Sequence, residues 1–534
     1  MKLFLYLLVF TFSIIKGYDK VPFDWAGQFG LYDYNGKILW NSDWHSKGLL
    51  FDGTWIIYPT MLGMHIEEGF DKNTEKIMQS KNSPETTSYF QYDQGDYLLD
   101  RFLFGISQKS NKRSINMSGF KRSYVGNYNQ YNNSSLQPAQ QSYLFSYHSN
   151  TNKDLSRFSF GHFNTLSGFP DIEQNGLYKN KITSYNFYWK RSIGKMNTIF
   201  SIDNFLQKYN AKHTLSFFDG ARFLTRGLYK GEVELFINKD KIASVLILSN
   251  IRSINVDTVY NLRWNEVKFS YKDLWSNISL GFLQHEDDLL NNFDLSIKKK
   301  VGMLNTAFAY KLKNQNIHPY FLINQINNLP SITLVESMSS SFGIIKKNIK
   351  IESSLFYLKD DEKFWEKVFP DSTDYSLVHK AMQINLETSI LKNYNLNLAY
   401  KVQNPSALYS SGFGRIFSLN IGGVFSLFDD YMKLGLNGYY KNLTDINHDF
   451  FIDPIEMVPK HNTDYNNWNK SINIINASIV ANVSKFSISF EWYNINEIFQ
   501  GAIGSSKNNQ IFIYPGIPEL GSQINLLVGW KFLD

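Results

Sequence analysis

The chain has 534 residues, 43% apolar and 19% charged, and 16% of it is aromatic, carried by 43 Phe, 33 Tyr and 11 Trp. A mean hydropathy of −0.30 excludes a helical membrane bundle, while the aromatic load exceeds what a soluble core usually needs; strands that are half apolar and half polar reconcile the two. There is no cysteine, which excludes disulfides, thiolate metal sites and a cysteine-linked lipid anchor, and no long basic run that would point to nucleic acid.

Residues 1–17 read as an export signal. Lys2 supplies the positive start and Leu3 to Ile15 is nearly unbroken apolar chain, too short to span a bilayer comfortably. Losing Lys2 and Lys16 with this leader lowers the formal charge from +6 to +4. A cut after Gly17 leaves Ile15 where a small residue is preferred. No later stretch reaches about 18 uninterrupted apolar residues, so any further membrane insertion uses strands.

Residues 18–95 differ from the rest of the chain. Trp25, Trp40, Trp44 and Trp55 stand among Gly, Asp and Asn, and alternation is interrupted. The segment reads as leading strands, a periplasmic cap or a lumen insert, and is short for a separate plug domain. Its tryptophans suit packing or interface anchoring better than sugar stacking.

From 96 to 534 the dominant signal is period-two alternation, the pattern of a strand with two unlike faces. Tyr185, Phe187 and Trp189 share one face, against Ser184, Asn186, Tyr188 and Lys190. Leu396 and Leu398 stand against Asn395, Asn397, Lys401 and Gln403. Phe486, Ile488, Phe490 and Trp492 stand against Ser487, Ser489 and Glu491. Short connections fall near 109–112, 193–195, Lys346–Asn348, Lys392–Asn393, Asp429–Asp430 and Ser484–Lys485. Long ones cover about 125–138, 167–180, 360–377, 442–470 and 495–519. Short periplasmic turns alternating with long external loops predict an outer-membrane barrel. Between 208 and 300 the turns cannot be assigned cleanly. Counting predicts an all-β, transmembrane, antiparallel up-and-down barrel of about 22 strands, with 18–26 open and an even number favoured. Closure follows from physics: a strand in hydrocarbon must pair every backbone N–H and C=O, and only a closed sheet has no edge.

The last strand carries a more specific resemblance. Ile524, Leu526, Val528, Trp530 and Phe532 share a face opposite Asn525 and Lys531. This resembles the C-terminal signal of bacterial outer-membrane proteins, which ends in an aromatic residue and implies the barrel-assembly machinery as partner. Here Leu533 and Asp534 follow the aromatic. By overall pattern the chain resembles porins of Bacteroidetes-like bacteria.

Catalytic and metal motifs are scarce. No Walker loop, dinucleotide fingerprint, His-Glu-x-x-His or Gly-x-Ser-x-Gly occurs. His162 sits on a strand whose face would allow it to enter the lumen, the one candidate for an outer-membrane hydrolase; a polar wall residue is the better reading. Asp360-Asp361-Glu362 and Glu286-Asp287-Asp288 offer oxygen ligands without calcium-loop spacing, and read as solvated loop charge or bridges to lipopolysaccharide through divalent ions. Sequons at Asn476 and Asn482 fall inside predicted strands. The expectation is therefore a non-enzymatic, cofactor-free and metal-free channel of the bacterial outer membrane, surrounded by lipid and lipopolysaccharide. Hydrophilic solutes would pass it by passive or weakly selective diffusion past Ser184, Asn186, Tyr188, Lys190 and the matching polar sets. A substrate-specific transporter with an obstructed lumen, or a surface-binding scaffold, is the alternative.

Overall fold

A computed structural model describes residues 85–533, interrupted at 126–138, 170–175, 213–220, 239–241, 256–258, 317–331, 371–374, 409–411, 453–458, 463–470, 497–520 and a few single turn positions. Before residue 85 only strand pairing is described: β1 (Asp19–Lys20), β2 (Leu31–Tyr34), β3 (Lys37–Asn41), β4 (Leu50–Phe51) and β5 (Ile56–Ile57) form one small antiparallel sheet.

Twenty-two strands then close a barrel. The first half comprises β6 (Glu85–Gly95), β7 (Leu99–Lys109), β8 (Arg113–Ser123), β9 (Ala139–Asn150), β10 (Asp154–Phe169), β11 (Gly176–Ile193), β12 (Met196–Lys212), β13 (Ala221–Asn238), β14 (Ile242–Asn255), β15 (Val259–Lys272) and β16 (Ser276–His285). The second comprises β17 (Asp288–Val301), β18 (Leu304–Asn316), β19 (Ile332–Lys346), β20 (Ile349–Lys359), β21 (Val378–Leu391), β22 (Tyr394–Gln403), β23 (Phe413–Leu427) and β24 (Met432–Ile446). A short hairpin, β25 (Phe450–Ile452) and β26 (Pro459–His461), stands apart before β27 (Ser471–Val483), β28 (Phe486–Tyr493) and β29 (Gln523–Leu533). Each barrel strand pairs antiparallel with its sequence neighbour, and β29 closes on β6 from Asn525↔Gly95 to Leu533↔Thr87. The barrel thus begins at Glu85, ahead of the boundary at 96 expected from sequence. Gln91, Asp93, Gln94 and Gly95 read as loop composition, yet they form the strand that the last strand pairs with.

Both barrel termini lie at the end that carries the short turns, the periplasmic end of such barrels. Side chains close several of these turns. Ser110 Oγ accepts from Arg113 N at 3.2 Å, Thr151 Oγ1 from Asp154 N at 3.0 Å, and Asp273 Oδ1 from Trp275 N and Ser276 N at 2.8 and 2.7 Å. Gly194 and Gly302 take positive φ (62° and 60°), which a Cβ would strain. Over the span left unassigned by sequence, the external connections at 256–258 and 286–287 are as short as the periplasmic ones. The short-long rhythm vanishes there, which is why the pattern failed.

Large exposed apolar side chains mark the outer face. Phe102, Ile106, Met117, Tyr143, Phe158, Tyr185, Ile202, Phe282, Ile351 and Ile421 are all 40–51% exposed, and the registers place them on the same side of the sheet. Such a continuous apolar band suits contact with acyl chains. At the closing seam Phe90, Phe486, Trp530 and Phe532 cluster near the periplasmic end, with Trp530 and Phe532 stacked at 4.9 Å. Strands β10 to β13 run 16 to 18 residues, well beyond the roughly 10 a tilted strand needs to cross a bilayer. On β12 the outward positions are Met196, Thr198, Phe200, Ile202, Asn204 and Leu206, followed by Lys208 and Asn210.

Candidate functional site: the inner wall and the external mouth

Register fixes which residues share the inner face. Ser184, Asn186, Tyr188 and Lys190 lie opposite the face of Tyr185, Phe187 and Trp189 on β11; the side chains of Ser184 and Asn186 are outside the described residues. Tyr188 meets the Arg157 guanidinium from β10 at 4.9 Å from its ring centroid. On β22, Asn395, Asn397, Lys401 and Gln403 share a face opposite Leu396 and Leu398. On β28 and β29, Ser487, Ser489, Glu491, Asn525 and Lys531 oppose Phe486, Ile488, Phe490, Trp492, Leu526, Val528, Trp530 and Phe532. Not all of the first group are open wall. Lys401 and Gln403 are each 6% exposed, Ser489 4% and Asn525 9%, so these are packed positions. Gln403 Nε2 donates to Phe413 O at 2.7 Å.

His162 faces outward. It pairs with Tyr143 and Thr183, on the face of Phe158, Phe160 and Tyr185, and its Nδ1 lies 3.2 Å from Thr183 Oγ1. The strand's parity, counted from Phe160, decides this, and the hydrolase candidate that required a lumen-facing His162 falls.

A polar network crosses the seam near the external end. Asp93 is 1% exposed, paired with Arg101 and accepting from Gln91 Nε2 at 3.0 Å. Tyr493 Oη donates to Glu491 Oε2 at 2.7 Å, and Ser489 Oγ to Glu491 Oε1 at 3.4 Å. Gln523 Nε2 donates to Asn525 Oδ1 at 2.7 Å and its Oε1 accepts from Tyr124 Oη at 3.4 Å, while Tyr97 Oη donates to Ser522 O at 2.7 Å. The Asp93–Arg101 pair ties β6 to β7, and Tyr97 and Tyr124, just beyond β6 and β8, tie onto the start of β29. Sequence reasoning missed Asp93 because it lay before the expected start of the barrel. Close approach explains one glycine: a Cβ on Gly105 would run into the Tyr89 ring.

The external mouth beside β20 to β24 is built. Helix α1 (Glu362–Val368) starts at Asp361, whose Oδ1 accepts from Phe364 N at 3.3 Å and whose Oδ2 accepts from Leu334 N at 3.3 Å. That assigns Asp361 of the acidic run a capping role, and Glu362 sits favourably in the first turn. Trp365 stacks on Phe369 at 5.8 Å; Phe369 and Tyr375 contact Phe450 at 5.1 and 5.4 Å, and Phe450 contacts His461 at 5.0 Å. Burial first, then Glu366 and Glu362, push the Tyr375 hydroxyl above its ordinary pKa. Backbone bonds bring in a third loop: Ser376 N donates to Ser406 O at 2.9 Å, Leu408 N to Ser376 O at 3.3 Å and Asn447 N to Gly412 O at 2.8 Å. The described parts of the loops at 360–377, 404–412 and 447–462 therefore pack together, with Phe364, Trp365, Ala407, Leu408 and Phe450 at 2–4% exposure.

Below this body the external end of the inner face of β24 and β27 is packed, with Leu443 and Ile474 at 0% and Ile472 at 2% exposure, while Lys433, Asn437 and Asn482 nearer the periplasmic end of that face are exposed. Lys441 stands among the packed residues at 6%, its Nζ 6.0 Å from the Tyr439 ring centroid. No group of three or more His, Cys, Asp or Glu side chains is arranged for a metal among the described residues.

No family model matches the chain, and no curated protein matches it. Solved structures do. The FrpB iron transporter from Neisseria meningitidis (F3-3 variant) matches at TM-score 0.65 over 97% of each chain with 8% identity. The ferric enterobactin receptor PfeA from Pseudomonas aeruginosa matches at 0.63, over 84% of this chain and 81% of that one, with 8% identity. P. aeruginosa FpvA, solved with heterologous pyoverdines, matches at 0.58 over 85% and 72%, with 8% identity. What is shared at that identity is the fold, the barrel of bacterial outer-membrane receptors. These likenesses are to transporters and receptors, and the porin resemblance finds no support in them.

Proposed function

We propose that this protein is a substrate-specific uptake barrel of the bacterial outer membrane, in place of the passive pore expected from sequence. The observation that carries this reading is the packed external mouth, where three loops join through Phe450 and backbone bonds over the packed external ends of β24 and β27. A channel for indifferent diffusion has no need of it. The fold likeness supports the same reading, since the matching structures are an iron transporter, a ferric enterobactin receptor and a protein bound to pyoverdines. Small ferric chelates are therefore the first solutes to test.

The mechanism is recognition without covalent chemistry. A solute entering the external mouth meets packed aromatic and polar side chains, then an inner wall of Ser, Asn, Tyr and Lys whose charge tunes passage. A barrel of 22 strands is wide enough to require an obstruction, and removing residues 18–84 tests whether they supply it. The barrel-assembly machinery is the partner assigned to β29.

Planar-bilayer recording of the refolded full chain and of a chain lacking residues 18–84 tests the proposal. The full chain should be nearly silent and the shortened chain should give large steps. Stable large steps from the full chain would restore the passive-pore reading.

A further inference from the structure

Lysines elsewhere on the inner wall are solvated or paired. Lys298, Lys300 and Lys433 are exposed, while Lys268 and Lys350 each lie within 4.0 Å of a carboxylate. Lys441 is in neither state. It is 6% exposed, and the described partner of its ammonium is the Tyr439 ring, 6.0 Å away. Its register neighbours are Ser418 on β23 and Ile474 on β27. The inward positions flanking those, Ile416, Asn420, Ile472 and Asn476, are neutral, as are Tyr439 and Leu443 on its own strand. Asp445, further along β24, is held by Arg415 at 2.7 Å. An ammonium withdrawn from water without a counter-charge is costly. Packing does not call for one here, since Leu443 and Ile474 fill the adjoining wall with apolar side chains.

The wall below Lys441 is open and rich in amides. Asn420 of β23 pairs with Tyr439 on one side and with Asn397 of β22 on the other. Two amides and a phenol ring thus share one row across three strands, with opposed Cβ atoms about 5 Å apart. Asn437 stands one pleat below Tyr439 and its Nδ2 donates to Ser478 Oγ at 3.3 Å. Its Oδ1 leans over Gly422, where a Cβ would come within 2.8 Å of it. Asn397, Asn420 and Asn437 are exposed and Tyr439 is half-buried, so the row is reached from the lumen. The nearest carboxylate along it, Glu387 beyond Asn397 on β21, lies 3.8 Å from Lys350.

A primary amide offers two donors and an acceptor in one plane, which suits neighbouring hydroxyls. The negative face of an aromatic ring suits the C–H side of a sugar. A neutral polyol would leave Lys441 without a counter-charge, and a bare carboxylate would leave the amides unused. We propose that Lys441, Tyr439, Asn397 and Asn420 form a binding site on the inner wall for a sugar acid. The carboxylate accepts from Lys441 Nζ, hydroxyls on the same ring exchange hydrogen bonds with Asn420 and Asn397, and the ring lies against Tyr439. This rests on the reading of the barrel as a substrate-specific uptake protein, and it adds acidic oligosaccharides to the solutes admitted.

Titration calorimetry on the purified full-length protein in detergent tests the site with three probes. Trigalacturonate carries hydroxyls and carboxylates, maltotriose hydroxyls alone, and tricarballylate carboxylates alone. Trigalacturonate should bind about tenfold or more tightly than either of the others. K441Q should weaken it about tenfold, to the level of maltotriose, and N397A/N420A about fivefold. K433Q, on the same strand near the periplasmic end, should stay within about twofold of wild type. Heat-modifiable gel mobility reports folding; should K441Q not fold, N397A/N420A, altered at exposed positions, carries the test. Equal affinities for the three probes, unchanged trigalacturonate affinity in a folded site variant, or equal weakening by K433Q would each overturn the site. No current is measured, so the uptake reading fails separately. A full chain that conducts freely yet binds trigalacturonate keeps the site and loses uptake specificity; a silent full chain that does not bind it loses the site alone.

Discussion

Leu398 and Asn397 are adjacent in sequence, yet the pleat of β22 puts one toward lipid and the other toward the lumen. Leu398 lies midway along its strand, so Leu398→Arg should cost about 2–4 kcal/mol. Asn397→Ser should stay within about 0.5 kcal/mol; urea unfolding from lipid vesicles measures both, and equal costs would reverse the assigned faces. Asp93 makes a second point at this scale. Its carboxylate is 1% exposed and depends on Arg101 and Gln91. Arg101→Met leaves a buried charge with one neutral donor and should cost about 2–3 kcal/mol. Adding Asp93→Asn should recover part of that loss, because an amide tolerates the site where a lone carboxylate does not. A double variant as unstable as the sum of its parts would show that the two residues act separately.

The packed loops are where an element's stability departs from that of the barrel. Their contacts lie outside the strand ladder, so Phe450→Ala should loosen α1 and the β25–β26 hairpin while the barrel's unfolding midpoint holds. Hydrogen exchange should accelerate across 362–369 and 459–461 alone, and the Phe369–Phe450 coupling in a double-mutant cycle should be about 0.5–1.5 kcal/mol. Acceleration spread through β20 to β24 would mean that the loops hold the barrel rather than rest on it. This body was not legible in sequence. Each loop showed only Pro, Asn, Asp and scattered aromatics, and what joins Trp365, Phe369, Tyr375 and Phe450 is packing between segments far apart in the chain. The strands were legible, because alternation is a local property: the runs at 185, 395, 486 and 524 all proved to be strands. Alternation stops short of three facts that need the whole sheet. It left the direction of His162 open, it could not see β6 through its polar composition, and it lost the turns where external loops shrink to two or three residues.

At the scale of the whole molecule, charge separates into layers. Among the described residues, cations on the inner face include Lys190, Lys268, Lys298, Lys300, Lys311, Lys350, Lys401, Lys433, Lys441 and Lys531, and acidic residues there include Asp93, Glu266, Asp288, Asp294, Glu352, Glu387 and Glu491. Some of this charge is paired, since Lys350 lies 3.6 Å from Glu352 and 3.8 Å from Glu387, and Lys268 lies 4.0 Å from Asp294. Lys298, Lys300, Lys433 and Lys531 all stand toward the periplasmic end, where the acidic residues are fewer. A wall of that sign concentrates anions in water-filled space. Current through the chain lacking residues 18–84 should therefore be anion-selective in a KCl gradient. The preference should be strong near 0.1 M salt, where screening extends about 10 Å, and fade near 1 M, where it extends about 3 Å. Lys298→Glu with Lys433→Glu should move the reversal potential toward the cation side, whereas Lys121→Glu with Lys380→Glu on the outer face should leave it in place. Equal shifts from both pairs would mean that the long-range field of the barrel, and not its inner wall, sets selectivity.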